Sequence, residues 1–294
     1  GAGGVGPAGR GGAEAVGRGG GGRGGRGRAG NLAGVQMRRY RFDETGEMLE
    51  YAVFVSSKVR KDTTRVPLVI ALHGRGAQPA NIIGLVRDAA ERAGFIVAAP
   101  MGYNTRGWYG LQDPGRPRQE REYSEKDVMN VLGFMRAEFH IDDERIYVMG
   151  TSMGGAGALH LAAKYPKLWA AVGAGAPAIQ RGAVDFSAIR HMPVFLAHGD
   201  RDGAVSVEVS RSIVGKMKEL GMVYEYREIP GGGHPQAREI GEGTGGFTDA
   251  FMNRVVLPLT GDYAENDHVL GHEIVHVFQY DIAATASRNR RRFN

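Results

Sequence analysis

Gly150-Thr151-Ser152-Met153-Gly154-Gly155 lies between an apolar run, Arg145-Ile146-Tyr147-Val148-Met149, and a small-residue run from Ala156 to Lys164. The first run predicts a strand and the second a helix, so the six residues must turn the chain sharply between them. A serine on so tight a turn is held in a strained backbone conformation. Glycines two residues before and two after it let the strand and helix approach without a clash. Gly150 and Gly154 occupy those places. The turn lifts the Ser152 hydroxyl out of the sheet, and the Met153 N–H at the head of the helix points at negative charge developing on a bound carbonyl. These features predict a nucleophile elbow.

Working outward, other apolar runs repeat the same rhythm. Pro67 to Leu72 is continuously apolar, as a parallel strand covered on both faces should be. Phe95 to Ala99, Trp169 to Gly173 and Val194 to His198 read alike, and Val223 to Ile229 forms a further strand. Helical patterns fall between them at Asn81 to Ala93, at Ser124 to Phe139 with Ser124 as cap, and at Val207 to Leu220. Met48 to Ser56 alternates and predicts a half-buried strand near a sheet edge. Strands alternating with helices of this length form βαβ units. The expected fold class is α/β, a doubly wound, mostly parallel sheet with helices on both faces, whose ligand site lies at the carboxyl edge of the strands. About twenty residues separate the Trp169 and Val194 strands, which leaves no room for a large lid.

A serine nucleophile needs a base to take its proton and an acid to orient that base. His198-Gly199-Asp200-Arg201-Asp202 follows one strand and Gly231-Gly232-Gly233-His234 the next, giving the chain order Ser, Asp, His. Ser152, Asp202 and His234 are the expected catalytic residues. Asp200 is the other candidate acid, but it stands close enough to the strand end to hold the turn through backbone N–H groups. The loop His73-Gly74-Arg75-Gly76 should supply the second oxyanion donor, with the Arg75 N–H first and Gly76 next, beside Met153. Trp108 and Tyr109, in the loop from Gly102 to Gly110, either line a substrate pocket or pin that loop to the body.

Together, Leu72-His73-Gly74-Arg75-Gly76, Gly150 to Gly155, His198 to Asp202 and Gly232-Gly233-His234 resemble an α/β-hydrolase. More narrowly, residues 45–258 resemble lid-poor serine esterases of the poly(3-hydroxybutyrate) depolymerase-like, feruloyl esterase-like and phospholipase/carboxylesterase-like groups. The resemblance implies hydrolysis of small-molecule or polymeric esters through an acyl-enzyme on Ser152, with no metal or organic cofactor. Aryl, feruloyl, short-acyl and polyester substrates are expected. Prolyl-oligopeptidase-like peptidases share the motifs, so amide cleavage is the second expectation; no propeller-like segment precedes the hydrolase-like part in this sequence.

Composition divides the chain further. Residues 1–34 are a Gly/Arg low-complexity tail, too poor in apolar side chains to form a core. Residues 35–258 form the expected catalytic domain and 259–294 a C-terminal extension. Of 37 basic and 32 acidic residues, twelve basic and one acidic lie in residues 1–41 and the last seven, leaving 25 basic against 31 acidic between. Basic charge thus belongs to the tails. An RGG-type nucleic-acid arm is the alternative of another class, and the lack of interleaved aromatics speaks against nucleic acid as a partner. No apolar run is long enough to span a membrane, and there is no cysteine for a disulfide or a thiol nucleophile. Secretion, with a leader already removed, and a cytoplasmic location both stay open. The extension contains His272-Glu273-Ile274-Val275-His276, an H-E-x-x-H pattern resembling a zincin helix. A third ligand is missing at the expected spacing, where Ile282 stands, so His272 and His276 are weak zinc candidates.

Overall fold

Strands that must be covered on both sides are apolar at every position, and the structure is built on such strands. The computed structural model describes residues 32–60, 65–112, 115–180 and 182–234. In chain order the strands are β1 (Gln36–Arg41), β2 (Met48–Val55), β3 (Val66–Leu72), β4 (Ile96–Pro100), β5 (Ile141–Thr151), β6 (Ala171–Gly175), β7 (Val194–Gly199) and β8 (Tyr224–Ile229). The helices are α1 (Pro79–Ala93), α2 (Arg118–Glu138), α3 (Met153–Lys164) and α4 (Glu208–Glu219). The strands form one sheet in the order β1-β2-β4-β3-β5-β6-β7-β8. β1 and β2 are antiparallel to each other, β2 is antiparallel to β4, and the remaining neighbours are parallel.

Alternate residues of each central strand feed opposite faces. Leu68, Ile70 and Leu72 of β3 join a core covered by α2, α3 and α4, whereas Val69 and Ala71 join a second core under Ile82, Ile83, Val86 and Ala90 of α1. Helices on both faces are therefore observed, as expected from the alternation. Among the described residues, the connection between β6 and β7 holds only a short 3-10 turn at Phe186–Ile189. No described helix is long and apolar enough to cross a membrane.

β2 lies next to the edge strand β1, as expected, but most of its residues are buried rather than half of them. Two boundaries differ from expectation. α2 begins at Arg118 rather than at Ser124. Its first turns are polar, supported by Arg116–Glu120 and Arg118–Glu122 pairs at i,i+4, and show no apolar stripe. Ser124 is fully buried inside the helix, where its Oγ accepts the Tyr109 N–H at 2.9 Å instead of capping. β5 runs for eleven residues because the register against β3 shifts between Val66 and Leu68, which lets polar Asp142, Asp143 and Glu144 sit within the strand.

Candidate active site

β5 ends where α3 begins, and the single residue between them is Ser152, with φ 56° and ψ −119°. That conformation is costly for a side-chain-bearing residue. It is held by bonds on both sides: the Ser152 N–H donates to the Gly175 carbonyl at 2.8 Å, while its own carbonyl accepts from Ala156 at 3.0 Å and Ala178 at 3.1 Å. Neighbouring glycines make the turn possible. A Cβ on Gly154 would stand 2.1 Å from the Leu72 carbonyl oxygen, and one on Gly150 would meet the Gly154 carbonyl at 2.4 Å.

The loops after β7 and β8 bring the other two expected residues to this turn. His234 Nε2 lies 2.9 Å from Ser152 Oγ, and His234 Nδ1 lies 2.7 Å from Asp202 Oδ2. A carboxylate can only accept, so Nδ1 carries the proton and Nε2 faces the serine as a base. The Asp202 side chain is closed to solvent and that of His234 is 20% exposed. Burial works to raise the Asp202 pKa, but bonds from the Val205 N–H, His234 and the Ala204 N–H outweigh it and hold the carboxyl below its ordinary value. Asp200 does something different. Its Oδ1 accepts the Gly231 N–H at 2.6 Å, tying the loop after β7 to the loop that presents His234.

Of the two backbone groups expected at the oxyanion position, the Met153 N–H is the first of α3 and has no carbonyl a turn earlier within the helix. In the other loop the Gly76 N–H donates to the Thr105 carbonyl at 2.7 Å, which leaves Arg75 as that loop's candidate. His73 is held by backbone carbonyls. Its Nδ1 and Nε2 stand 2.8 Å from the Gly74 carbonyl and 2.9 Å from the Met101 carbonyl, so the ring braces two loops. Burial lowers its pKa against the pull of those carbonyls.

Beside Ser152 and His234 a cavity of about 350 Å³ opens between the Arg75 loop and α1. Asn81, Ile82 and Leu85 line it from α1. These three lie within two turns of the start of α1, directly after the oxyanion loop, and that adjacency is the sequence signal that could have pointed to them. A cavity of about 920 Å³ between Val184 and α4 contains none of the triad residues. Volume alone would have picked the wrong place.

Tyr109 needs correcting as a pocket residue. It is fully buried, its OH donates to the His73 carbonyl at 3.1 Å, and its ring sits where a Cβ on Gly157 of α3 would come within 2.6 Å. Of the two expected roles it takes the bracing one. Trp108 packs partly buried against the same core and does not line the Ser152 cavity. The His272 to His276 segment lies outside the described residues.

A doubly wound sheet with Ser152 on the turn after its fifth strand, and Asp202 and His234 in the loops after the seventh and eighth, has the α/β-hydrolase fold. Within that class the chain belongs to the Esterase family, whose model matches residues 47–217. A curated relative, feruloyl esterase B of Neurospora crassa, is 29% identical over 113 residues, which are 38% of this chain and 39% of that protein. The chain thus spans about two fifths of the length of that relative. Among solved structures, a thermostable esterase is 25% identical with a TM-score of 0.58, covering 79% of this chain and 63% of its own. A CE1 ferulic acid esterase from Anaeromyces mucronatus, in complex with ferulic acid, is 17% identical with the same TM-score of 0.58, covering 74% of this chain and 88% of its own, and its likeness is one of fold.

Proposed function

We propose that this protein is a serine carboxylic ester hydrolase, with residues 35–258 as its catalytic domain. The observation that carries the reading is the continuous Ser152–His234–Asp202 chain, with contacts of 2.9 and 2.7 Å. Ser152 Oγ attacks the ester carbonyl as its proton passes to His234 Nε2, and the carbonyl oxygen takes up negative charge facing the Met153 and Arg75 N–H groups. The tetrahedral adduct collapses, the C–O bond to the alcohol breaks, and His234 returns the proton to the leaving oxygen. Water then attacks the acyl group, again giving its proton to His234, and as the second adduct releases the acid His234 returns that proton to Ser152 Oγ. Asp202 keeps its charge throughout and stabilises the imidazolium formed in each step.

The cavity and the names of the relatives support a substrate class within this reading. A volume of about 350 Å³ with Ile82 and Leu85 on one wall suits an aryl or short acyl group and leaves the bulk of a large alcohol or polymer outside. Feruloyl and related aryl esters are the first choice, in line with the names of the relatives.

Hydrolysis of p-nitrophenyl esters from acetate to long acyl chains, together with methyl ferulate, tests this with the intact protein and with Ser152→Ala. The intact protein should cleave the short and aryl members. The variant should lose at least about 10³-fold in kcat. Equal activity in both proteins would overturn the reading. Activity abolished by a chelator but not by the substitution would move the catalysis to the His272–His276 segment.

A further inference from the structure

Asp202 touches a second histidine. His198, at the end of β7, has no exposed side-chain surface, and its Nε2 lies 3.2 Å from Asp202 Oδ2, the same oxygen that meets His234 Nδ1 at 2.7 Å from the other side. His198 Nε2 also bonds the Val205 carbonyl at 2.9 Å. On the far side of the ring, Nδ1 lies 2.7 Å from Ser210 Oγ of α4.

These neighbours decide where the ring carries its proton. A carbonyl and a carboxylate can only accept, so an Nε2 without a proton would face two lone-pair donors at close range in a buried site. A hydroxyl can give or take. The proton of a neutral ring therefore belongs on Nε2, and Ser210 donates to Nδ1. Glu228, the partner of His198 in the β7–β8 register, is already engaged by Arg211 and Tyr226.

We propose that His198 is a positioning residue of the reaction, acting through Asp202. Its Nε2–H fixes the Val205 carbonyl and lies against Asp202 Oδ2, while the Val205 and Ala204 amides hold Oδ1 at 2.9 and 2.8 Å. The carboxylate cannot rotate away from His234 without giving up this edge. Ser210, from a helix outside the triad loops, sets the tautomer that makes the arrangement attractive. A side chain that merely filled the space would leave Oδ2 with His234 alone. The carboxylate would then be freer to turn when the imidazolium forms, so the loss would fall on the chemical step rather than on substrate binding.

The inference rests on the triad reading, and its test has one arm that needs no activity. In the wild-type protein, ¹⁵N-edited NMR of the His198 ring should show a proton on Nε2; a ring whose only proton is on Nδ1 overturns the proposal whatever the enzyme hydrolyses. In the kinetic arm, His198→Met, folded by circular dichroism, should lower kcat on a p-nitrophenyl ester by about 10- to 100-fold with KM changed less than threefold. It should also weaken or shift the downfield His234 Nδ1–H resonance. His198→Gln, which restores an N–H near the Nε2 position, should recover most of kcat and the resonance. Should the Met variant fail to fold, the Gln variant and the wild-type tautomer still decide. A folded His198→Met with unchanged kcat, or a folded His198→Gln that loses 10-fold or more in kcat, overturns the proposal. A wild-type protein with no esterase activity would sink the triad reading instead, and the tautomer measurement would still stand as a test of the geometry.

Discussion

Ser152 holds a backbone conformation that costs on the order of 1–3 kcal/mol, and the glycines around it exist to permit that conformation. Gly154→Ala would place a methyl 2.1 Å from the Leu72 carbonyl oxygen. We expect it to destabilise the fold by about 2–4 kcal/mol, read as a lower urea midpoint, with activity falling in the folded fraction as well. The two aspartates of the loop after β7 offer a sharper contrast. Asp202→Asn removes the acceptor that fixes the His234 tautomer, and kcat should fall by about 10⁴-fold. Asp200→Asn keeps an oxygen for the Gly231 N–H and should stay within a few-fold of wild type. Comparable losses in both would show that the loop, rather than the carboxylate, matters. Asp202 could be preferred from the sequence because it lies two residues farther from the strand end and so can turn back. The contact of His198 with the same carboxylate depends on a bend between residues 199 and 205 that no spacing reveals.

At the scale of elements, the central strands were legible because burial on both faces demands unbroken apolar runs. Boundaries were less so. The first turns of α2 are stabilised by charge pairs and carry no apolar period, and β1 is a polar outer strand whose pattern resembles a loop. Tyr109 illustrates a different limit: an aromatic residue in an active-site loop reads the same whether it faces a ligand or the space over Gly157. Tyr109→Phe should cost about 1 kcal/mol through the unpartnered His73 carbonyl while leaving kcat/KM within about threefold. A large rise in KM with stability unchanged would return Tyr109 to the substrate.

Between α2 and α3, Glu125 is buried yet ionised. Burial opposes the charge, but the His160 ring with Nε2 3.5 Å away, the Lys164 ammonium and the Tyr165 hydroxyl lower its pKa to about 2 from an ordinary value of 4.5. A depressed carboxyl contributes its stability in full above the unfolded value and loses it as pH falls through the folded one. The wild-type urea midpoint should therefore drop between pH 4.5 and about 2. In Glu125→Gln the midpoint should be lower at pH 7 and decline less over that window. An equal decline in both proteins would show that Glu125 is not the source.

For the whole molecule, the sheet order brings residues 82 and 32 positions apart into one line at its carboxyl edge, Ser152 to His234 and Asp202 to His234. Chain order and the βαβ rhythm made that edge legible in advance; the cavity beside it was not, since it arises from how α1 meets the Arg75 loop. The most direct test of the central claim is covalent. Treatment with diethyl p-nitrophenyl phosphate followed by peptide mass mapping should find one diethylphosphoryl group, on Ser152, formed at the same rate as esterase activity disappears and absent in His234→Ala over the same time. Activity that survives full labelling of Ser152, or labelling confined to another residue, would contradict the account.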